Sequence, residues 1–130
     1  MLRTFMKAKI HRATVTDANV HYVGSITLDP LLMERADILP YEQVDVLNVS
    51  NGNRLTTYAI LGKKRGNGQV CLNGAAARLC RKGDIVLVVS YAQLHPEEMP
   101  GFRALTLMVD AKNRVKKAVS SRLSMPRRKG

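Results

Sequence analysis

Alternating hydrophobic and polar residues, interrupted by turn-forming residues, run through most of this 130-residue chain. Residues 7–15 and 19–23 alternate with period two, which predicts two half-buried β-strands. Runs of the same kind predict further strands at residues 43–49, 54–60, 69–72 and 104–110. The almost continuous apolar run over residues 84–91 is typical of a strand that is buried on both faces.

Short helices and tight turns separate these strands. Asp29-Pro30 indicates a helix over about residues 30–37, because Asp29 can accept hydrogen bonds from first-turn amides and proline loses none at the first helical position. We expect Leu31, Leu32 and Met33 to face inward. A second helical stretch is predicted at residues 75–79. Asn51-Gly52, between two β-rich runs, predicts a hairpin because both residues tolerate positive φ.

The number and length of these elements favour one fold class. Six or more short strands with two short helices in about 110 residues predict a mainly β protein, a compact barrel rather than a parallel α/β sheet. The sequence contains no repeat of solenoid length. We therefore expect a single β-barrel domain over residues 1–111.

The charge of the chain is concentrated at its C-terminal end. Lys and Arg number 21 against 10 for Asp and Glu, a formal net charge of +11. Residues 112–130 contain eight of the basic residues and none of the acidic ones, which leaves 13 basic and 10 acidic residues, or +3, in residues 1–111. Because residues 112–130 have no apolar period either, we expect them to form a basic, flexible tail.

Several classes of protein are disfavoured. No apolar run approaches the roughly 18–20 residues that span a bilayer, so no membrane segment is expected. The first residues alternate and lack the apolar region of a secretory signal. Cys71 and Cys80 fit no common zinc pattern, and no pair of histidines has helical metal-binding spacing, so we expect no metal and two free thiols in a reducing cytoplasm.

The pair Gly24-Ser25 is the first candidate for chemistry. Glycine within a strand marks a bulge or bend, and a plain turn accounts for most such pairs. Alternatively, the glycine lets the backbone distort so that the Ser25 hydroxyl lies against the preceding carbonyl. In that arrangement Oγ can attack the carbonyl carbon, and elimination of the resulting ester leaves a pyruvoyl group at a new chain start.

Two further groups of residues could bind or protonate a substrate. Asn73-Gly74-Ala75-Ala76-Ala77 stands at a predicted strand-to-helix junction, where free amides can bind a carboxylate, although an ordinary helix entry accounts for these residues equally well. Arg54 and Tyr58 share one face of a strand and Thr57 lies on the other. A guanidinium can hold a carboxylate and a tyrosine can supply a proton, but an ordinary barrel exterior also fits.

Seven segments together strongly resemble the bacterial aspartate 1-decarboxylases in order and spacing, from residue 1 to about residue 110. They are RT at residues 3–4, KIHRATVT at 9–16, HYVGS at 21–25, NVSNG at 48–52, RLTTYAI at 54–60, NGAAA at 73–77 and GDIV at 83–86. One such segment alone would prove little, but the ordered set is specific. Residues 112–130 lie outside the resemblance.

The resemblance implies a double-psi β-barrel and a homotetramer whose active sites lie between subunits. It implies an inactive proenzyme that cleaves itself between Gly24 and Ser25 into chains 1–24 and 25–130, with Ser25 becoming a pyruvoyl group that forms a Schiff base with the substrate. The implied reaction converts L-aspartate to β-alanine and CO2 for pantothenate and coenzyme A biosynthesis. The carbanion left by decarboxylation needs an electron sink, and an internally made carbonyl replaces pyridoxal phosphate in that role.

The resemblance also assigns roles to individual residues. It implies that Ser25 is the pyruvoyl precursor and Tyr58 the proton donor. Self-processing is implied for Gly24, Ser25, Thr57 and Asn73. Substrate binding is implied for Lys9, Arg54, Thr57, Gly74, Ala75 and Ala76. His11 and Tyr22 are implied to line the same region.

Two other functions remain as alternatives. The first is a basic β-barrel that binds RNA or DNA through residues 112–130, since a positive tail adds salt-dependent affinity. We expect no nucleic-acid partner, because aromatic residues make up 5% of the chain and tryptophan is absent, so stacking platforms for bases are scarce. The second is a barrel that has lost self-cleavage, but Gly24, Ser25, Thr57 and Tyr58 are all present.

Overall fold

The computed structural model describes residues 1–125, and within them the protein is mainly β, as predicted. The strands are β1 (Arg3–Thr14), β2 (Asp17–Asn19), β3 (Ser25–Leu28), β4 (Gln43–Asn48), β5 (Arg54–Leu61), β6 (Val70–Asn73), β7 (Ile85–Leu94), β8 (Arg103–Val109) and β9 (Val115–Arg122). One α-helix, α1 (Pro30–Ala36), and two 3₁₀ helices (Gly74–Arg78 and Pro96–Glu98) join them. None of the helices in residues 1–125 is long and apolar enough to cross a membrane.

The strands form one sheet in the order β2-β6-β3-β5-β4-β7-β1-β8-β9. Three pairs are parallel, namely β1 with β8, β2 with β6, and β3 with β5. The other pairs are antiparallel. Because parallel neighbours need crossover connections, the chain passes repeatedly from one part of the sheet to another. This topology puts the short strand β3 between β5 and β6.

The inward faces of the strands and one face of α1 form a continuous hydrophobic core. Its largest fully buried members include Ile10, Ile26, Leu28, Leu32, Leu72 and Leu107. Two of them, Ile26 and Leu28, belong to β3, so that strand is anchored on its apolar side. Burial of each such side chain contributes about 1.5–3 kcal/mol relative to exposure. The position of Ser25, the first residue of β3, is thereby fixed.

The predicted start of α1 is confirmed in detail. The Asp29 carboxylate accepts a hydrogen bond from the Leu31 amide at 2.8 Å, and Pro30 is the first helical residue. The same carboxylate accepts hydrogen bonds from the amides of Gly66 and Gly68, both at 2.8 Å. Asp29 is 1% exposed, so one buried carboxylate joins the helix to the turn before β6. Leu31, expected to face inward, is only half-buried.

The strand predicted at residues 19–23 is wrong. Asn19 ends β2, and its side-chain oxygen accepts a hydrogen bond from the His21 amide at 3.1 Å, while its carbonyl accepts one from Tyr22 at 3.4 Å. An asparagine that bonds the backbone two residues onward forms a turn instead of a strand. Residues 20–23 are consequently an exposed turn that leads directly to Gly24.

The flexible tail expected from residue 112 is wrong for the segment that forms β9. This strand pairs with β8 from Arg103 opposite Arg122 to Val109 opposite Val115. The Asp110 carboxylate closes the hairpin by accepting hydrogen bonds from two amides of the turn, at 2.9 and 3.0 Å. An edge strand with exposed side chains needs no apolar period, and its lysines discourage pairing with further strands. Arg127, Arg128 and Lys129 lie outside the described residues.

Candidate active site

Ser25 stands at the start of β3, where the exposed turn enters the sheet. Its side chain is fully buried, whereas Val23 two residues earlier is 68% exposed. The backbone of Ser25 pairs with Asn73 on β6, and Ile26 pairs with Ala59 on β5. The Gly24–Ser25 peptide bond therefore lies at the boundary between a surface turn and a strand held on both sides.

Two hydrogen bonds hold the Ser25 hydroxyl. It donates to the Val23 carbonyl at 3.2 Å and accepts from Asn73 Nδ2 at 2.9 Å. Asn73 Nδ2 also donates to Thr27 Oγ1 at 2.9 Å. The carbonyl that accepts the Ser25 hydroxyl proton is thus that of Val23, one residue before Gly24. The cause is local, since a serine hydroxyl readily bonds a carbonyl of its own turn.

Gly74 packs directly against the backbone of Gly24. Its φ is +61°, and a Cβ built on it would lie 2.6 Å from the Gly24 nitrogen and 2.7 Å from the Tyr22 carbonyl oxygen. No side chain fits at such distances. The absence of a side chain at position 74 therefore lets the 3₁₀ helix begin in contact with the Gly24–Ser25 junction.

Five of the predicted site residues meet in one cleft of about 360 Å³. They are Gly24, Thr57, Tyr58, Ala75 and Ala76. Strand β5 contributes the threonine and the tyrosine, and the 3₁₀ helix contributes the alanines. The cleft thus joins the candidate junction to a hydroxyl-bearing strand and to a stretch of backbone with only methyl side chains.

Tyr58 has an aromatic neighbour that the sequence pattern does not indicate. The ring of Tyr41 stacks on it, with centroids 6.1 Å apart and 29° between the planes. Tyr41 adopts a positive φ of 70° and donates its amide hydrogen to the Ala59 carbonyl at 2.7 Å. No local pattern announces this contact, because it depends on how residues 37–42 turn back over β5.

Lys9 and Arg54 do not line the cleft. Lys9, on β1, is half-buried between Val89 and Thr106 of the neighbouring strands, and β1 is four strands along the sheet from β3. Arg54, at the exposed start of β5, borders a separate groove of about 200 Å³. A single copy of the chain therefore brings together the junction, the cleft and Tyr58, but not these two cations.

His11 and Tyr22 also lie outside the cleft. His11 borders a cavity of about 370 Å³ beside the β8–β9 hairpin, and its buried Nδ1 has no hydrogen-bond partner within residues 1–125. Burial lowers the pKa of this imidazole, as do the nearby charges of Lys9 and Arg12. Protonation of His11 is disfavoured for these reasons.

A larger cavity of about 660 Å³ adjoins the polar face of β6. Tyr22 borders it, as do Asp17, Thr27, Cys71 and Asn73. Burial raises the pKa of the Cys71 thiol, and the negative charge of Asp17 raises it further. Asn73 therefore borders this cavity on one side and contacts Ser25 on the other. Within residues 1–125, no group of three His, Cys, Asp or Glu side chains is arranged to hold a metal.

Comparison with known proteins adds an independent result. The family model described as aspartate decarboxylase matches residues 1–116. The aspartate 1-decarboxylase of Syntrophus aciditrophicus is 54% identical over 116 residues, which cover 89% of this chain and 99% of the relative. The aspartate 1-decarboxylase of Thermoanaerobacter pseudethanolicus is 56% identical over 114 residues, which cover 88% and 97%. A Clostridium botulinum aspartate 1-decarboxylase is 51% identical over 117 residues, which cover 90% and 91%.

Proposed function

This chain belongs to the aspartate decarboxylase family, and from that membership we infer that it decarboxylates L-aspartate to β-alanine and carbon dioxide. The observation that carries this inference is the continuous match through residue 116, which includes every candidate residue of the cleft. The enzyme is a carboxy-lyase. β-Alanine is a building block of pantothenate and coenzyme A, and supply of that pathway is part of the proposal.

We propose that the chain first cleaves itself between Gly24 and Ser25. Ser25 Oγ forms a bond to the Gly24 carbonyl carbon, the C–N bond between the residues breaks, and the hydroxyl proton passes to the nitrogen. Loss of the Ser25 α-proton and cleavage of the Cβ–Oγ bond then release chain 1–24 as a carboxylate. The dehydroalanine left on chain 25–130 takes up water and releases ammonia to give a pyruvoyl group.

The geometry of Ser25 supports this proposal. The hydroxyl is buried and held by Val23 and Asn73 rather than free to rotate. The contact between Gly74 and Gly24 fixes the other side of the scissile bond. The junction is therefore held on both sides of the peptide bond that would break. Water is excluded from a fully buried hydroxyl, which favours attack on the chain over hydrolysis.

The residues around position 25 fit a pyruvoyl group. Asn73 Nδ2 lies 2.9 Å from Ser25 Oγ and can donate a hydrogen bond to a carbonyl oxygen at position 25. Asn73 is 4% exposed. Such a group supplies a carbonyl that, once joined to the substrate amine, takes up the electron pair left by the departing carboxylate. Neither a metal nor pyridoxal phosphate is part of the proposal.

The other cleft residues bind the substrate and transfer a proton to it in this proposal. Tyr58 protonates the carbon from which the carboxylate departs, since it lines the same cleft as Gly24. The backbone at Gly74, Ala75 and Ala76 binds a substrate carboxylate, because its small side chains let a ligand approach the amides. Thr57 contacts the substrate and takes part in processing.

Lys9 and Arg54 hold the substrate carboxylates in this proposal, and they reach the site across a subunit boundary. Their positions outside the cleft of their own chain support a homotetramer with active sites between subunits. The three parallel strand pairs support the finer classification as a double-psi β-barrel. Free thiols at Cys71 and Cys80 support a location in the cytoplasm, where disulfides are rare.

The decisive experiment measures intact mass and CO2 release on the same sample. After incubation, the purified full chain should give a fragment that ends at Gly24 and a second fragment that begins with pyruvoyl and has no free amine. Ser25→Ala should remain uncleaved and release no CO2 from L-aspartate. A wild-type chain that stays whole after prolonged incubation would refute the self-cleavage proposal, and CO2 release by Ser25→Ala would refute the pyruvoyl group.

A further inference from the structure

Cys71 stands two residues before Asn73 on the same face of β6. Its sulfur lies 3.4 Å from Asn73 Oδ1, a hydrogen-bond distance for a thiol donor. Among residues 1–125 this thiol is the only donor to that oxygen. The other end of the same amide, Nδ2, lies 2.9 Å from both Ser25 Oγ and Thr27 Oγ1. A chain of hydrogen bonds thus connects Cys71 to the Ser25 hydroxyl through Asn73.

We propose that Cys71 is a positioning residue for self-cleavage, because its thiol proton fixes the orientation of the Asn73 amide toward Ser25. The inference rests on the proposed self-cleavage at Gly24–Ser25. It assigns a task to a buried thiol that has no contact with the substrate cleft described above.

The orientation matters because a side-chain amide has a donor end and an acceptor end. With Nδ2 toward Ser25, the serine hydroxyl must donate elsewhere, and it donates to the Val23 carbonyl in its own turn. With the amide reversed, Oδ1 would accept the Ser25 hydroxyl proton and draw it away from Val23. Ser25 and Thr27 hydroxyls can donate as well as accept, so they allow both orientations.

The thiol is the group that distinguishes the two orientations. In the native orientation the thiol donates to Oδ1, whereas the NH2 group of a reversed amide would give up two hydroxyl acceptors and face only the sulfur, a weak acceptor. The thiol keeps its proton because burial and the charge of Asp17, which is opposite Cys71 on β2, both raise its pKa. Cys71 is 7% exposed, so water competes little for the bond. Without a donor at position 71, the preference for the native orientation weakens.

The test compares cleavage rates of four variants with the wild-type chain. Cys71→Ser keeps a donor, whereas Cys71→Ala and Cys71→Val remove it with a smaller and a similar-sized side chain. Cys80→Ala is the matched control, since Cys80 is also a buried free thiol but belongs to the hydrophobic core. The fraction of uncleaved chain is followed by intact mass from the moment of purification, and Tm is measured on each sample.

We expect Cys71→Ser to cleave within about threefold of the wild-type rate, and Cys71→Ala and Cys71→Val to cleave at least about tenfold more slowly, as loss of one buried hydrogen bond would predict. Cys80→Ala should cleave at the wild-type rate even where its Tm is lower. This separation of rate from Tm distinguishes positioning from a general loss of stability.

Failure of the inference and failure of the proposed function give different results. If the wild-type chain does not cleave after Gly24, the proposed function fails. If the wild-type chain cleaves and Cys71→Ala and Cys71→Val cleave as fast as Cys71→Ser, the inference is overturned and the function stands. A Cys80→Ala variant that slows as much as Cys71→Ala would also overturn it, because any loss of a buried thiol would then have the same effect.

Discussion

The side chain of Asn113 pairs with the backbone of Thr14 as a neighbouring strand would. Thr14 donates its amide hydrogen to Asn113 Oδ1 at 2.7 Å, and Asn113 Nδ2 donates to the Thr14 carbonyl at 2.8 Å. Nδ2 also donates to the Gly68 carbonyl at 2.8 Å. Asn113 is 2% exposed, and it lies 99 residues from Thr14 along the chain. One amide therefore connects the end of β1, the turn before β6 and the β8–β9 hairpin.

Asn113→Ala should lower the free energy of unfolding by about 2–4 kcal/mol, because three hydrogen bonds are lost and partly buried backbone groups of Thr14 are left without partners. Asn113 also has a positive φ of 62°, so Asn113→Gly is the informative control. Glycine accepts this backbone conformation but makes none of the bonds. Urea unfolding at one protein concentration should show a large loss in both variants. A glycine variant as stable as wild type would mean that backbone strain, not the bonds, caused the loss.

A chain that stops before Lys112 should be less stable and more prone to aggregate than one that stops after Ser124. The shorter chain loses Asn113 and β9, which exposes the edge of β8. Unpaired strand edges promote association with other chains. Thermal unfolding and light scattering at matched concentration check this prediction. Equal stability of the two truncated chains would mean that β9 contributes nothing to the fold.

Local chemistry predicted the parts of the fold whose contacts lie within a few residues. Asp29 and Pro30 predicted the start of α1. Asn51-Gly52 predicted the hairpin between β4 and β5, where Gly52 has a φ of 79°. Strand β9 escaped prediction because edge strands can be polar on both faces. The role of Asn113 was not predicted, because its hydrogen-bond partners are distant in sequence and residue 113 belongs to the segment that was expected to be a charged tail.

In the candidate site, too, the sequence predicted some of the residues and not others. The resemblance supplied Gly24, Thr57 and Tyr58, and the structure brings them to one cleft. Cys71 was interpreted as an ordinary buried thiol, because the strand predicted at residues 69–72 stopped one residue short of Asn73. In the structure β6 extends to Asn73, which places both side chains on one face. No sequence pattern predicts the contact of Tyr41, because its stacking on Tyr58 depends on the path of a turn.

Gly74→Ala should slow the proposed self-cleavage by about tenfold or more, because the added Cβ would lie 2.6 Å from the Gly24 nitrogen and must displace the junction. Gly83→Ala is the matched control. Gly83 also has a positive φ, +93°, but a Cβ there meets nothing within 4 Å. Gly83→Ala should lower the free energy of unfolding by about 1 kcal/mol, the strain of an alanine at positive φ, and should leave the cleavage rate unchanged. Intact mass against time measures both rates. Equal slowing in the two variants would show that strain alone, rather than the contact with Gly24, is responsible.

Tyr41→Ala should reduce kcat for L-aspartate several-fold without slowing cleavage, since it removes the ring that stacks on Tyr58. Tyr41→Phe keeps the ring and should retain wild-type kcat, because an aromatic pair of this kind contributes about 0.5–1.5 kcal/mol. Tyr58→Phe is the reference variant, and loss of the proposed proton donor should lower kcat by about 10²–10⁴. The rates are compared per cleaved chain. Identical kcat values for Tyr41→Ala and Tyr41→Phe would rule out a positioning effect of the ring.

Asp84 should make the fold less stable in acid. The Arg81 amide and Asn48 Nδ2 each donate to Asp84 Oδ2 at 2.8 Å, and these bonds lower the pKa of the carboxyl. Because the folded-state pKa lies below that of the unfolded chain, the stabilisation is present above the ordinary pKa of about 3.9. It is lost as pH falls through the lowered folded-state value.

The measurement is the change in Tm between about pH 7 and about pH 2.5, a window that starts above the ordinary pKa of an Asp carboxyl and ends below it. Asp84→Asn should lower Tm at the neutral end and show a smaller drop on acidification than wild type, since an amide cannot be protonated there. Glu97→Gln, which alters an exposed carboxylate of the second 3₁₀ helix, is the control and should follow the wild-type curve. If Asp84→Asn and wild type lose the same Tm in acid, the acid sensitivity arises from other carboxylates, and the hydrogen bonds from Arg81 and Asn48 contribute no pH-dependent stability.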